Sequence, residues 1–489
     1  MLPAGAWKSN VHKPVIFVIL AILLAYTVAT AAGWTSAAHA ARTHDPEVAA
    51  AKTSDYWAVI PFAILLGAIA VLPLLEHTAH WWESNLHKFY VAGNLGLITL
   101  VYLAFWHPEG SFALAAHTLE HVMVAEYIPF IVLLFSLYTI SGGIRITGDL
   151  PAHALTNVAF MAAGGLLASF IGTTGAAMLL VRPLLETNAE RKHVAHTVVF
   201  FIFVVCNCGG LLLPIGDPPL FLGYLNGVDF LWTLSLWRSW LFVNTLLLAV
   251  YFAVDHFYYY PRETKADIAR DERQVSRLKF SGVWPNGLLL LGVILSVGLL
   301  DPAKAIPGTE WHPWFYLREM VQLALVGVSL LLGPKVARDD NNFDYLAIVE
   351  VAVLFIGIFL AMQPALEILK AHSATLGIDT SHKFFWITGT LSAVLDNAPT
   401  YLVFFKTAQA LSPGGADLVA GVAEPFLKGI SLGAVLMGAM TYIGNGPNFM
   451  VKTIAEKSGV RMPSFFGYVV YSVVVLLPIL ALNVWLFLE

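Results

Sequence analysis

Cysteine and charge are the two scarcities of this chain. Only two cysteines, Cys206 and Cys208, occur among 489 residues. The stretch that holds them, CNCGG, lacks the paired spacing of a zinc module or a disulfide framework, so both read as small packing residues. Charged side chains make up 12% of the chain and form no basic stripe of the kind that neutralises phosphates. Nucleic acid is thereby excluded as a partner, and no soft-metal ligand set is present.

Hydrocarbon fills the space that charge leaves. Hydrophobic residues account for 58% of the sequence, outside the usual range for soluble domains. Apolar runs long enough to approach a bilayer's thickness, roughly 17–25 residues as helices, recur near 15–33, 57–75, 89–106, 126–142, 153–171, 194–213, 235–254, 286–300, 320–333, 345–369, 383–395, 430–443 and 465–487. The expected fold is an all-α multipass membrane protein whose partner is the lipid bilayer. In residues 1–40, a basic start, an apolar core and the small-residue stretch SAAHAA fit both a signal peptide and a first membrane helix.

The segment Pro261 to Lys279 concentrates Arg262, Lys265, Arg270, Arg273, Arg277 and Lys279. Short basic connections stay cytoplasmic, and this one lies near mid-chain, where a duplication would be joined. Three alignments support one. EYIPFIVLLF at Glu126 lies over EVAVLFIGIF at Glu350, SFIGTTGAAMLLV at Ser169 over SAVLDNAPTYLVF at Ser392, and PIGDPPLF at Pro214 over YIGNGPNF at Tyr442. The expected organisation is an N-terminal segment 1–40, extra helices over 41–114, a first repeat over 115–258, a basic loop with connecting helices over 259–339, and a second repeat over 340–489. The repeats are inverted if each crosses the membrane an odd number of times.

Four apolar runs are interrupted, two in each repeat. Asp396, Asn397 and Pro399 break LSAVLDNAPTYLVFF, and Gly444, Gly446 and Pro447 break AMTYIGNGPNFMVK. In the first half the corresponding places are IGTTGAAM, with Thr173 and Thr174, and LLLPIGDPPLFLG, with Asp217. Non-helical backbone survives at membrane depth only where protein buries it or it lines a cavity. Re-entrant hairpins or discontinuous helices around a polar site are therefore expected. Carboxylate, carboxamide, hydroxyl and freed carbonyl are hard oxygen donors, suited to hard cations such as Na⁺ or Li⁺. An aspartate within the bilayer is costly, and a proton or a cation relieves it, one at a time. Asp396 and Asp217 are the expected exchange carboxylates. Asn397, Thr400, Thr173, Thr174, Thr441, Asn445 and Asn448 are expected to complete the cation shell.

Glu126 and Glu350 stand at equivalent positions, where a proton relay and simple helix-dipole stabilisation both fit. Arg182 and Lys406 nearly coincide beyond the first breaks; snorkelling to the interface is the ordinary role for such side chains. The histidines of EHTAHWWESNLH and HTLEHVMVAEY have spacings that suggest a metal. Trp81 and Trp82 in the first, and the amphipathic pattern of the second, favour the membrane interface instead.

The four broken segments resemble the signature segments of NhaD-type sodium/proton antiporters, in the superfamily that also holds arsenite permeases and citrate or dicarboxylate carriers. The likeness runs from about residue 120 onward. It implies a homodimeric bacterial inner-membrane carrier with two re-entrant hairpins and elevator-like movement, exchanging Na⁺ or Li⁺ for H⁺, with no cofactor and no enzymatic chemistry. Asp396, Asn397 and Thr400 match the family's acidic hairpin motif, and Asn445 and Asn448 match its later break. Thr173 and Thr174 depart from it, standing where other members often carry an Asp-Asn or Ser-Asn pair. A carrier of an organic anion or arsenite on the same scaffold is the alternative.

Overall fold

The computed structural model describes residues 12–36, 53–341, 343–412 and 418–488. The fold is all-α and multipass. Among the described residues, six helices are long and apolar enough to cross a membrane: His12–Ala31, Asn85–Phe105, Phe112–Ser141, Ala154–Ile171, Trp232–Arg262 and Phe465–Phe487. Leu346–Ala361 and Gln363–His372, bent by 43° at their junction, make a seventh span if taken together. His12–Ala31 covers the apolar core of the N-terminal segment; most of the SAAHAA stretch lies outside the described residues.

Three of these helices contain a π-helical turn, and proline accounts for all of them. The turns Val122–Tyr127, Asp255–Tyr259 and Ser472–Leu476 each end just before a proline, respectively Pro129, Pro261 and Pro478. A proline cannot donate to the carbonyl four residues back. The widened turn absorbs the mismatch without breaking the helix.

The chain divides into two compact units. The first comprises Met1–Ala51, Ile128–Ile146 and Lys279–Ile348. In it, His12–Ala31, Ile128–Ser141, Val283–Leu299 and Leu317–Leu332 pack on one another. A buried polar chain ties their ends: Arg338 donates to Ser329 Oγ (2.5 Å), Ser329 to Asn286 Oδ1 (2.6 Å), and Asn286 to the Gly143 carbonyl (3.0 Å).

The second unit comprises Lys52–Tyr127, Thr147–Leu278 and Val349–Glu489, and it holds all four broken segments. Its most extensive helix pair is Ser381–Val394 against Glu424–Met437. Gly429 and Gly433, four residues apart, permit that approach. A Cβ at either would lie 2.4–2.5 Å from the carbonyls of Ser381 and Phe385, the small-residue contact by which membrane helices associate.

Candidate functional site

Each interruption has a local cause. The helix Ala154–Ile171 stops at Gly172, whose φ of +80° suits glycine alone, and Thr173–Thr187 begins at once. Ser381–Val394 stops at Leu395; Asp396 is extended and Asn397–Leu411 follows. Asp217 precedes Pro218–Leu225 and Asn445 precedes Gly446–Lys457, both with extended backbone (φ −142° and −152°).

Proline decides what these side chains do. A residue at the start of a helix ordinarily turns its side chain back to accept from the second or third N–H. After Asp217 the second residue is Pro219, and after Asn445 it is Pro447, so neither has that N–H to offer. The third N–H of each, from Leu220 and Asn448, goes to the backbone carbonyl of Asp217 or Asn445. Both side chains are released outward. Asp396 differs, because its second residue is Ala398, whose N–H donates to Asp396 Oδ1 at 3.0 Å.

The released side chains meet. Asp217, 1% exposed, accepts at Oδ1 from Thr173 Oγ1 (3.0 Å) and Asn445 Nδ2 (3.0 Å), and at Oδ2 from Asn397 Nδ2 (2.7 Å). Asn397 Oδ1 is buried and receives no donor. No ion pair joins Asp217 to a lysine, arginine or histidine among the described residues. The residue at or beside the start of each of the four interrupted helices thus takes part in one buried cluster.

A second tier braces the cluster. Asn207 Nδ2 donates to Asn448 Oδ1 (2.8 Å) and to the Ile202 carbonyl (2.9 Å), while Asn207 Oδ1 accepts from Asn445 (3.2 Å). Asn448 in turn donates to the carbonyls of Gly438 and Thr441, both at 2.9 Å. Nothing in the sequence CNCGG singles out Asn207 between its two cysteines.

Other expected site residues take different places. Thr441 donates to the Ala393 carbonyl (2.5 Å) and accepts from the N–H groups of Ile443 and Gly444, which fixes the turn before Asn445. Thr400 is bonded to the Asp396 carbonyl within its own helix (2.9 Å). Thr174 is partly buried and does not join the cluster. Asp396 lies within electrostatic reach of Asp217 but caps its helix. Arg182 and Lys406 are half-buried further along the helices that start at Thr173 and Asn397.

Positions aligned between the two halves make like contacts. Ser169 Oγ donates to the Gly209 carbonyl (2.6 Å), and Ser392 Oγ to the Ala434 carbonyl (2.7 Å). Gly216 lies against the Gly210 carbonyl as Gly444 lies against that of Gly438. Glu126 and Glu350 differ: Glu350 pairs with Lys88 (2.6 Å), whereas Glu126 is buried with Oε2 unpartnered.

Of the histidines, His87 stacks on Trp81 at 4.6 Å and bonds its carbonyl, and His80 pairs with Glu83 at 3.4 Å. Among the described residues, the side chains grouped closely enough to hold a metal are Asp149, Glu190 and Asp271, with ligand oxygens within 4.8 Å of one another. They lie outside the membrane-spanning helices. Burial, then the charges of Glu190, Asp271 and Glu186, push the Asp149 carboxyl up to about 6. Burial also raises that of Asp271.

A search of curated proteins finds no match to this chain. Residues 51–488, nearly its whole length, match the family described as "Putative citrate transport". The chain is a member of that transporter family.

Proposed function

We propose that this protein is a secondary transporter exchanging Na⁺ or Li⁺ for H⁺ across a bacterial inner membrane, with Asp217 as the carboxylate for which cation and proton compete. The observation that carries the reading is the Asp217 cluster: a fully buried carboxylate that has no cationic partner among the described residues, beside an amide oxygen, Asn397 Oδ1, that receives no donor from them. A hard cation would bind Asp217 Oδ2 and Asn397 Oδ1, with Thr173 and a turned Asn445 amide offering further oxygens. Amide orientation follows from the hydrogen bonds chosen, so such a turn needs no backbone movement. A proton would neutralise the same carboxylate and exclude the cation. The NhaD-like motifs and the like contacts of the two halves support inverted repeats and alternating access, and the resemblance supports a homodimer.

A second reading is favoured by the family match and by the four helix starts around Asp217, which carry partial positive charge suited to anions. In it the Asp217 site holds a coupling cation and a citrate-like anion is the cargo. Inside-out vesicles carrying a pH-sensitive dye distinguish the two. NaCl alone should dissipate an established acid gradient, and Asp217→Asn should abolish that response. Dissipation only when citrate accompanies Na⁺ would replace the first reading with the second.

A further inference from the structure

Glu126 is a buried acid that the exchange cluster does not use. It sits on the π-helical turn Val122–Tyr127 and is 5% exposed. One carboxylate oxygen, Oε2, is buried without a partner. The other, Oε1, lies 4.0 Å from Nε2 of His121, whose side chain is 57% exposed. The turn packs against the helix Pro218–Leu225, which begins immediately after Asp217.

The repeat-equivalent acid provides the contrast. Glu350 pairs with Lys88, itself 5% exposed, at 2.6 Å. Removing Glu350 would strand the buried Lys88 ammonium, whereas Glu350 is itself half-exposed. Among the described residues, Glu126 has no ion pair that short. An unpaired buried carboxylate oxygen is costly as an anion and is relieved by a proton, and a π-helical turn is a frequent place for functional groups.

Toward Glu126 the preceding helical segment Phe112–His121 brings His121, with His117 and Glu120 exposed on the same segment. The helix Asn397–Leu411 brings Lys406 within electrostatic reach. Pro218–Leu225 carries only Tyr224 as a titratable side chain. One exposed histidine therefore stands beside the buried acid, and the packed helix beyond it starts at the exchange carboxylate.

We propose that Glu126 is a second proton-carrying carboxylate, loaded from the His121 side and serving Asp217. This rests on the reading of Asp217 as the exchange site. The step is a proton transfer alone: the imidazolium of His121 loses a proton and the Glu126 carboxylate gains it, and when Asp217 releases its cation the proton passes on to the Asp217 carboxylate, leaving Glu126 ionised again.

The test uses the full chain in proteoliposomes and reads two fluxes, ²²Na⁺/Na⁺ exchange at equal pH on both sides and Na⁺-driven H⁺ movement. With Glu126→Gln, sodium exchange should stay within about twofold of wild type, because Asp217 is intact, while coupled H⁺ movement falls about tenfold or more. Glu126→Asp, which keeps the carboxylate, should restore H⁺ movement with a displaced pH profile. Unchanged H⁺ movement and pH profile in Glu126→Gln would overturn the proposal and leave Asp217 standing. Loss of both fluxes in Glu126→Gln with correct folding, judged by a monodisperse elution, would also overturn it. A wild type that exchanges no sodium in either assay would overturn the Asp217 reading and this one with it.

Discussion

The two halves each present one aspartate at an interrupted helix, and the structure treats the two acids differently. Asp217 is followed by Pro-Pro, finds no second N–H to cap, and turns into a cluster of amides and a hydroxyl. Asp396 is followed by Asn-Ala-Pro, finds the Ala398 N–H, and caps its helix. The position of the proline, one residue earlier or later, thus separates an acid aimed at a site from one engaged by its own backbone. In the alignment of the two halves Asn445 lies over Asp217, and the acid of the second pair of breaks stands at the other one.

Moving the acid is the most severe way to break this contrast. Asp217→Asn should lower Na⁺ affinity by more than the roughly 10–100-fold typical of losing a single supporting partner at a metal site. Asn445→Asp placed in that background should recover part of it, because Asn445 Nδ2 lies 3.0 Å from Asp217 Oδ1 and a carboxylate there faces the same Thr173 and Asn397 neighbourhood. Asp396→Asn should weaken binding far less, since asparagine caps a helix as well as aspartate does. Sodium titration of the exchange rate in vesicles measures all three. Equal losses in Asp217→Asn and Asp396→Asn would erase the distinction between the acids.

A finer test concerns the proline itself. Pro219→Ala gives the helix after Asp217 the N–H that Ala398 gives the helix after Asp396. That N–H would compete for the Asp217 carboxylate with a capping bond of about 1 kcal/mol. Sodium affinity should then fall by roughly fivefold, with little loss of folded protein. An unaltered affinity would mean that something other than the missing donor turns Asp217 outward.

Much of this arrangement was legible in the sequence. Glycine and proline mark all four interruptions because both act through the local backbone, at Gly172, Pro219, Pro399 and Pro447. The polar residues around them named most of the cluster. Pairings set by tertiary packing left no such trace. Asn207 meets Asn448 across 241 positions and has no proline beside it to single it out. Lys88 meets Glu350 from a helix in the N-terminal region, outside both aligned halves. Thr441 and Thr400 look like cation ligands by type, but hydroxyls also satisfy nearby carbonyls, and here they do so. The π-helical turn at Glu126 was equally hidden, although Pro129 just after it was the signal.

The mildest effect concerns an acid outside the membrane, where like charges rather than amides surround the carboxylate. Asp149 lies beside Glu190 and Asp271, with Oδ1 buried and unpartnered. Burial, then these neighbouring acids, push its carboxyl up to about 6 in the folded state, against about 3.9 in an unfolded chain. Between those values the folded state holds more proton than the unfolded one, so this group favours folding below about pH 4 and loses that contribution as pH rises through 6. Asp149→Asn removes both the titration and the repulsion from Glu190 and Asp271. The melting temperature of the variant in detergent should therefore exceed that of wild type by a margin that widens from pH 4 to pH 7 and is constant above. A margin independent of pH would mean that the three carboxylates do not share a field, and that burial among acids and burial among amides cannot be told apart at this position.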